Sequence, residues 1–245
     1  RMNDVLPIFK REFAAYFATP LAYVFIIIFL LAMGAFTFYV GRFYDNGVAD
    51  LSVFFGYHPW LYLFLVPAIA MRLWAEERRT GTMELLLTLP VPLWATVTGK
   101  YLAAWAFIAV ALALTFPIWL TVNYLGNPDN GVIAASYLGS LLMAGAYLAI
   151  GACMSATTGN QVIAFVVTVV VCFLFAIAGS PLVLDFFRSW APLPLITAIS
   201  SFSFLTHFAS ISAGVVDLRD LIFFFSLIAL FLTANIVIVD LKKSG

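Results

Sequence analysis

Apolar and polar positions alternate in long blocks along the chain. Residues 21–40 carry no charge, and residues 130–184 carry none either, a run long enough for two crossings of a hydrocarbon core about 30 Å thick. Polar breaks divide the remaining apolar sequence, and six membrane spans are predicted at 21–40, 53–74, 99–122, 132–154, 162–183 and 220–240. The sequence Asn127-Pro128-Asp129-Asn130-Gly131 has strong turn chemistry before the fourth span, and residues 155–161, from Ser155 to Gln161, break the long uncharged run. Residues 3–18 read as an amphipathic helix lying along the inner membrane surface, or as an ordinary segment before the first span. Asn3 or Asp4 can cap it; Val5, Leu6, Phe9, Phe13, Tyr16 and Phe17 form its apolar stripe, with Lys10, Arg11 and Glu12 outside it.

The densest charge lies between spans two and three, where Glu76, Glu77, Arg78, Arg79 and Glu84 belong in water. Gly81 permits a sharp turn, and Thr80 or Gly81 can cap the residues after it. A short helix is predicted from Thr82 to Leu89, with Met83, Leu86, Leu87 and Leu89 as its apolar contacts, stopped by Pro90 and Pro92. Two readings stay open on spacing alone: a solvated connection, or a short helix that transmits force from a partner.

Residues 189–216 are uncharged but contain Pro192, Pro194 and several serines, which suits re-entrant or surface-lying short helices better than a seventh span. Charge asymmetry supports this count. With six spans and the amino terminus inside, Arg1, Lys10, Arg11, Arg72, Arg78, Arg79, Lys100, Lys242 and Lys243 fall on the inner side, nine of the twelve Lys and Arg, leaving Arg42, Arg188 and Arg219 outside. A seventh crossing would erode that bias.

Composition agrees with an all-α polytopic membrane protein: 64% hydrophobic, 10% charged, mean hydropathy +1.07. Zero net charge gives no electrostatic case for nucleic acid. Cys153 and Cys172 lie in apolar stretches and read as small hydrophobes. No cleavable signal peptide is expected, and Arg1 ahead of Met2 reads as a tag remnant or as a chain that begins upstream. Thr37, Thr115 and Asn235, the polar residues within spans, read as interhelical hydrogen bonders. His58 and His207 both fall on the outer side, and a shared metal site is not expected of them. The sequence holds no His-Glu-x-x-His, no Gly-x-Ser-x-Gly and no Gly-x-x-x-x-Gly-Lys-Ser/Thr, so neither proteolysis nor nucleotide hydrolysis is expected of this chain, and any energy comes from another polypeptide.

Glu76-Glu77-Arg78 followed by Gly81-Thr82-x-Glu84-x-Leu86-Leu87-x-x-x-Pro90, within six spans behind an amphipathic helix, resembles the membrane subunit of a type-2 ABC exporter. The Ser155–Gln161 turn leading into Ala164 resembles the second cytoplasmic loop of that family's gliding-motility-type branch. The serine- and phenylalanine-rich stretch before Gly214-Val215-Val216-Asp217-Leu218-Arg219 resembles that branch's external segment, here 185–218. The chain also resembles the copper-related permease of nitrous oxide reductase maturation.

The resemblance implies one transmembrane domain over 1–245 with a coupling helix at 80–90, seated in a cytoplasmic ABC ATPase. Glu76, Glu77, Arg78, Arg79, Gly81, Thr82, Glu84, Leu86 and Leu87 would couple to that ATPase, while Ser155, Gly159, Asn160 and Gln161 would form the second cytoplasmic loop. Phe202, Phe204, His207 and Phe208 would form an outer gate or docking surface. It implies no catalytic residue, metal or cofactor on this chain, with ATP and Mg on an ATPase dimer. It further implies a second permease copy or paralogue, an accessory membrane protein with a large periplasmic domain, and residence in a bacterial inner membrane with both termini cytoplasmic. A scaffold that transmits mechanical work without moving solute is the alternative. A secondary transporter or channel fits less well, because residues 21–122 and 132–240 show no inverted repeat.

Overall fold

The structure, a computed structural model, describes residues 4–243; the expected cap Asn3, the charge at Arg1 and the side chain of Lys243 lie outside what it describes. The described residues form helices and the turns between them, without strands. Four stretches are long and apolar enough to cross a membrane unaided, 20–40, 93–125, 130–157 and 218–242, and two bent helix pairs bring the number to as many as six.

A central helix, α9 (Asn130–Thr157), organises the rest. Ala144, Gly145, Ala146, Ala149, Gly151 and Ala152 leave little side chain along it, so neighbouring backbones approach closely, the usual basis of helix association in lipid. Around it pack α4 (His58–Ala70), α7 (Leu93–Ala113), α10 (Gln161–Ile177), α13 (Phe204–Ser212) and α14 (Leu218–Lys243). Helix α2 (Pro20–Gly34) runs on into a stretch of π-helix at Ala35–Val40 and packs against α4.

Several boundaries differ from the sequence expectation. The run expected as one span at 53–74 is divided into α3 (Ser52–Gly56), α4 and α5 (Arg72–Arg79), with breaks at Tyr57 and Met71. Pro59 opens α4, and Pro67 inside it has no amide proton to give the preceding turn, although the Met71 amide still reaches the Pro67 carbonyl at 2.9 Å. The third span begins at Leu93 rather than 99, placing Lys100 two turns inside α7; the helix pauses at Thr115 and restarts as α8 (Phe116–Leu125), with Pro117 in its first turn. The span expected to reach 183 stops at Ile177, and α11 (Pro181–Arg188) turns away by 75°. Helix α12 (Leu193–Ser201) and α13 are bent by 61° at a break of two residues. In the first helix, α1 (Val5–Phe17), Tyr16 and Phe17 of the expected stripe pack against the core, but Ile8, outside the stripe, is the fully buried residue, Leu6 is exposed, and Glu12 turns inward. The buried face of α1 is set by what it packs on, namely α7, where Tyr16 stacks on Phe107 at 5.0 Å.

Candidate functional site

One end of the bundle gathers the charged residues. It holds α1, α5, the start of α7, the end of α9 and the short helix α6 (Thr82–Leu87). The break at Met71 leaves amides at the start of α5 without intrahelical partners. Ser155, in the last turns of α9, supplies them: its Oγ accepts from the Trp74 and Ala75 amides at 3.1 and 3.0 Å and donates to the Met71 carbonyl at 2.9 Å. The exposed carbonyls at the end of α9 are satisfied in turn by cations. Arg78 donates to the Ala156 carbonyl at 2.9 Å, and Lys242 donates to the Thr157 carbonyl, both favoured by the negative end of the α9 dipole.

Lys100 ties three helices together. Its ammonium is 2.9 Å from Glu77 of α5 and 3.3 Å from Glu12 of α1, and it lies 5.6 Å from the centre of the Trp74 ring. The residue is 3% exposed, so the two carboxylates replace the water an ammonium would otherwise require. Burial alone would raise the Glu77 carboxyl, but the Lys100 charge and hydrogen bonds from Thr82 and Lys100 outweigh it and hold the group below the ordinary carboxylate range. Gly99, beside the lysine, lets α1 approach α7: a Cβ there would stand 2.8 Å from the Ile8 side chain.

Gly81 turns the chain with φ +72° and begins α6. The helix ends at Leu87, two residues short of the expectation, and its apolar contacts are Met83 and Leu86, with Leu87 half-buried. Leu89 is exposed rather than packed, and Leu85 is 69% exposed. Thr80 does not cap α6; its hydroxyl donates back to the Glu76 carbonyl.

The residues expected to contact an ATPase therefore divide into two groups. Glu76 is engaged by Arg72 of its own helix at 2.9 and 3.0 Å, and Glu77 and Arg78 are engaged by Lys100 and α9. Arg79, Gly81, Thr82 and Glu84 remain exposed, whereas Leu86 is buried and Leu87 half-buried, so these two leucines pack inward and the neighbouring Leu85 and Leu89, outside the expected set, are the exposed apolar residues. Of the second loop, Ser155 still belongs to α9, Gly159 lies against the Arg78 side chain, and Asn160 caps α10 by accepting from the Val162 and Ile163 amides. Gln161 opens α10.

At the opposite end, the expected docking group does not form one surface. Phe204 and Phe208 are core residues, 0% and 4% exposed, because α13 folds onto α9 instead of lying on the surface; Phe202 alone of the three aromatics is exposed. His207 bonds Asp220 at 2.6 Å and the Ser201 carbonyl at 2.7 Å, whereas His58 is buried against Ser140 at 2.6 Å, so the two histidines do not meet. No cluster able to hold a metal occurs among the described residues.

Sequence reasoning missed Glu12, the inward role of Lys100, and Asp220. Lys100 did carry a signal: it is the single charge between Glu84 and Asp129, and a solitary ammonium in an apolar run needs a buried partner. The family model of ABC-2 family transporter proteins matches residues 44–239, from the loop before α3 to near the end of α14. No curated protein matches the chain. With that match covering most of its length, the chain belongs to the ABC-2 transporter family and is an integral membrane permease subunit of an ABC transporter, a family that works with a separate ABC ATPase.

Proposed function

We propose that this subunit couples ATP hydrolysis by a cytoplasmic ATPase dimer to export across a bacterial inner membrane, with the charged end of the bundle facing the cytoplasm. The observation that carries the reading is the division of the charged segment. Glu77, Arg78 and Ser155 bind α5 to α1, α7 and α9, while α6 projects beside them with Glu84 and Leu85 exposed. A push on α6 reaches α5 through the Gly81 turn and through the Thr82 hydroxyl bonded to Glu77, and from Glu77 it reaches α1 and α7 through Lys100. ATP and Mg would reside on the ATPase.

Because one chain supplies about six spans, a second copy or a paralogue would complete the unit, with the path between the two. An accessory membrane protein with a large periplasmic domain would act at the end carrying α11 and α12. The experiment is reconstitution with the partner ATPase: Glu84→Lys or Leu85→Asp lowers ATPase association or uncouples turnover while the permease stays folded, and normal coupled activity in both variants would refute the assignment. The alternative of mechanical work without solute movement draws on the dry packing of α9, where residues from Met143 to Ile150 are 0% exposed wherever apolar. ATP turnover in liposomes without flux of any solute would favour it.

A further inference from the structure

A cavity of about 770 Å³ opens between α1, α2, α4 and α5 at the charged end of the bundle. Its walls change character along their length. Leu21, Phe25 and Ile28 of α2 face Leu65 and Ala68 of α4, and the span from Leu21 to Ile28 is about 10 Å of helical rise. Leu21 and Ile28 are 47% and 49% exposed, so this apolar slot is open toward the place where hydrocarbon would stand. At the other end the cavity is lined by Arg72, Glu76, Glu12 and Gln161. These groups offer both kinds of partner. Arg72 uses Nε and Nη2 on Glu76, which leaves its Nη1 to donate elsewhere, and Gln161 has its amide nitrogen out of solvent without a hydrogen-bond partner. Glu12, held by Arg11 and Lys100, and Glu76, held by Arg72, keep further acceptor lone pairs beside these donors.

We propose that this cavity binds one zwitterionic glycerophospholipid with a primary-ammonium headgroup. An acyl chain lies in the slot between α2 and α4, the phosphate takes donors from Arg72 and Gln161, and the ammonium sits against Glu76 and Glu12. The charge pattern selects this class. Glu12, Glu76 and Glu77 outnumber Arg72 and Lys100 along this wall, so a headgroup with phosphate but no cation would add further negative charge to a lining already in acidic excess. A quaternary ammonium would lack the N–H donors that the carboxylates accept. The lipid would thereby fill the space between the α1 brace and α5, the two elements joined through Lys100. The inference stands on the cavity and does not depend on ATPase coupling, so its test omits the ATPase.

The test uses the full chain in detergent, delipidated, then titrated with dioleoyl phosphatidylethanolamine, phosphatidylglycerol or phosphatidylcholine, and read by native mass spectrometry and thermal unfolding. Phosphatidylethanolamine is expected to remain as a one-to-one adduct and to raise Tm, with the other two retained about tenfold less. Arg72→Gln should lower its retention about tenfold by removing a charge-assisted donor. Ala68→Phe, which fills the slot, should abolish the adduct. Val24→Trp, on the exposed edge of the same wall, provides the second variant if Ala68→Phe fails to fold. Equal retention of the three lipids, or an adduct indifferent to the slot-filling variants, would overturn the proposal. A lipid-free dimer lost on slot filling would overturn it in favour of a second copy covering the slot.

Discussion

The Lys100 ammonium on α7 stands 2.9 Å from the Glu77 carboxylate on α5, with only 4% of the lysine side chain exposed. Because the same ammonium also holds Glu12 of α1, one buried charge fixes the relative position of three helices next to the exposed α6. Replacing Lys100 with Met strips Glu77 of its ion-pair partner beside Glu12, which keeps only Arg11 of its own helix at 2.6 Å. Removing one partner of a buried pair costs about 3 kcal/mol or more. Thermal unfolding in detergent should show Lys100→Met strongly destabilised, with partial recovery when Glu77→Gln is added; recovery would be absent if the lysine mattered only for packing.

The same pair sets a pH dependence. Glu77 is held below the ordinary carboxylate range, burial being outweighed by Lys100 and Thr82. A group whose value is depressed on folding adds stability that is complete above its unfolded value and is lost as pH falls through the folded one. Wild type should therefore lose Tm on acidification through that window more steeply than Glu77→Gln. Parallel pH profiles of the two would contradict the pairing.

Ser155→Ala removes the acceptor for two amides and the donor to one carbonyl at the break between α4 and α5. Leaving buried backbone groups unsatisfied costs about 1–3 kcal/mol. Hydrogen exchange should accelerate at Trp74 and Ala75 in this variant, while the middle of α9 stays protected. Unchanged exchange at Trp74 would mean that other groups satisfy these amides.

Cysteine accessibility tests the orientation. Thr88 after α6 and Thr197 on α12 are both exposed. An impermeant thiol reagent should label Thr197→Cys from the periplasmic side and Thr88→Cys only after the membrane is opened. The reverse pattern would invert the topology.

Much of this fold is legible in sequence because an uncharged run of span length has few alternatives in a chain this apolar. The charged segment and the turn at Gly81 are legible for a similar reason: charge and a left-handed glycine are local signals. What depends on a neighbour is not. Glu12 falls outside the apolar stripe of α1, and its inward turn is set by Lys100 on α7, 88 positions away in the chain. Phe204 and Phe208 belong to a serine-rich stretch that reads as surface, yet α13 buries them on α9. Ser155 reads as part of a turn, but the helix continues through it because its side chain is needed by α5. The break at Met71 and the bend between α10 and α11 likewise reflect packing and proline placement that span length cannot register.

The central claim is that the exposed edge of α6 is the contact worked by the ATPase. It is tested most directly by placing a photo-crosslinking residue at Leu85 in native membranes, with one at Trp190, exposed after α11, as the control. The account predicts an adduct between Leu85 and an ATP-binding subunit, altered in yield when ATP is added, and none from Trp190. An ATPase that co-purifies with the chain yet never crosslinks to Leu85 would contradict it.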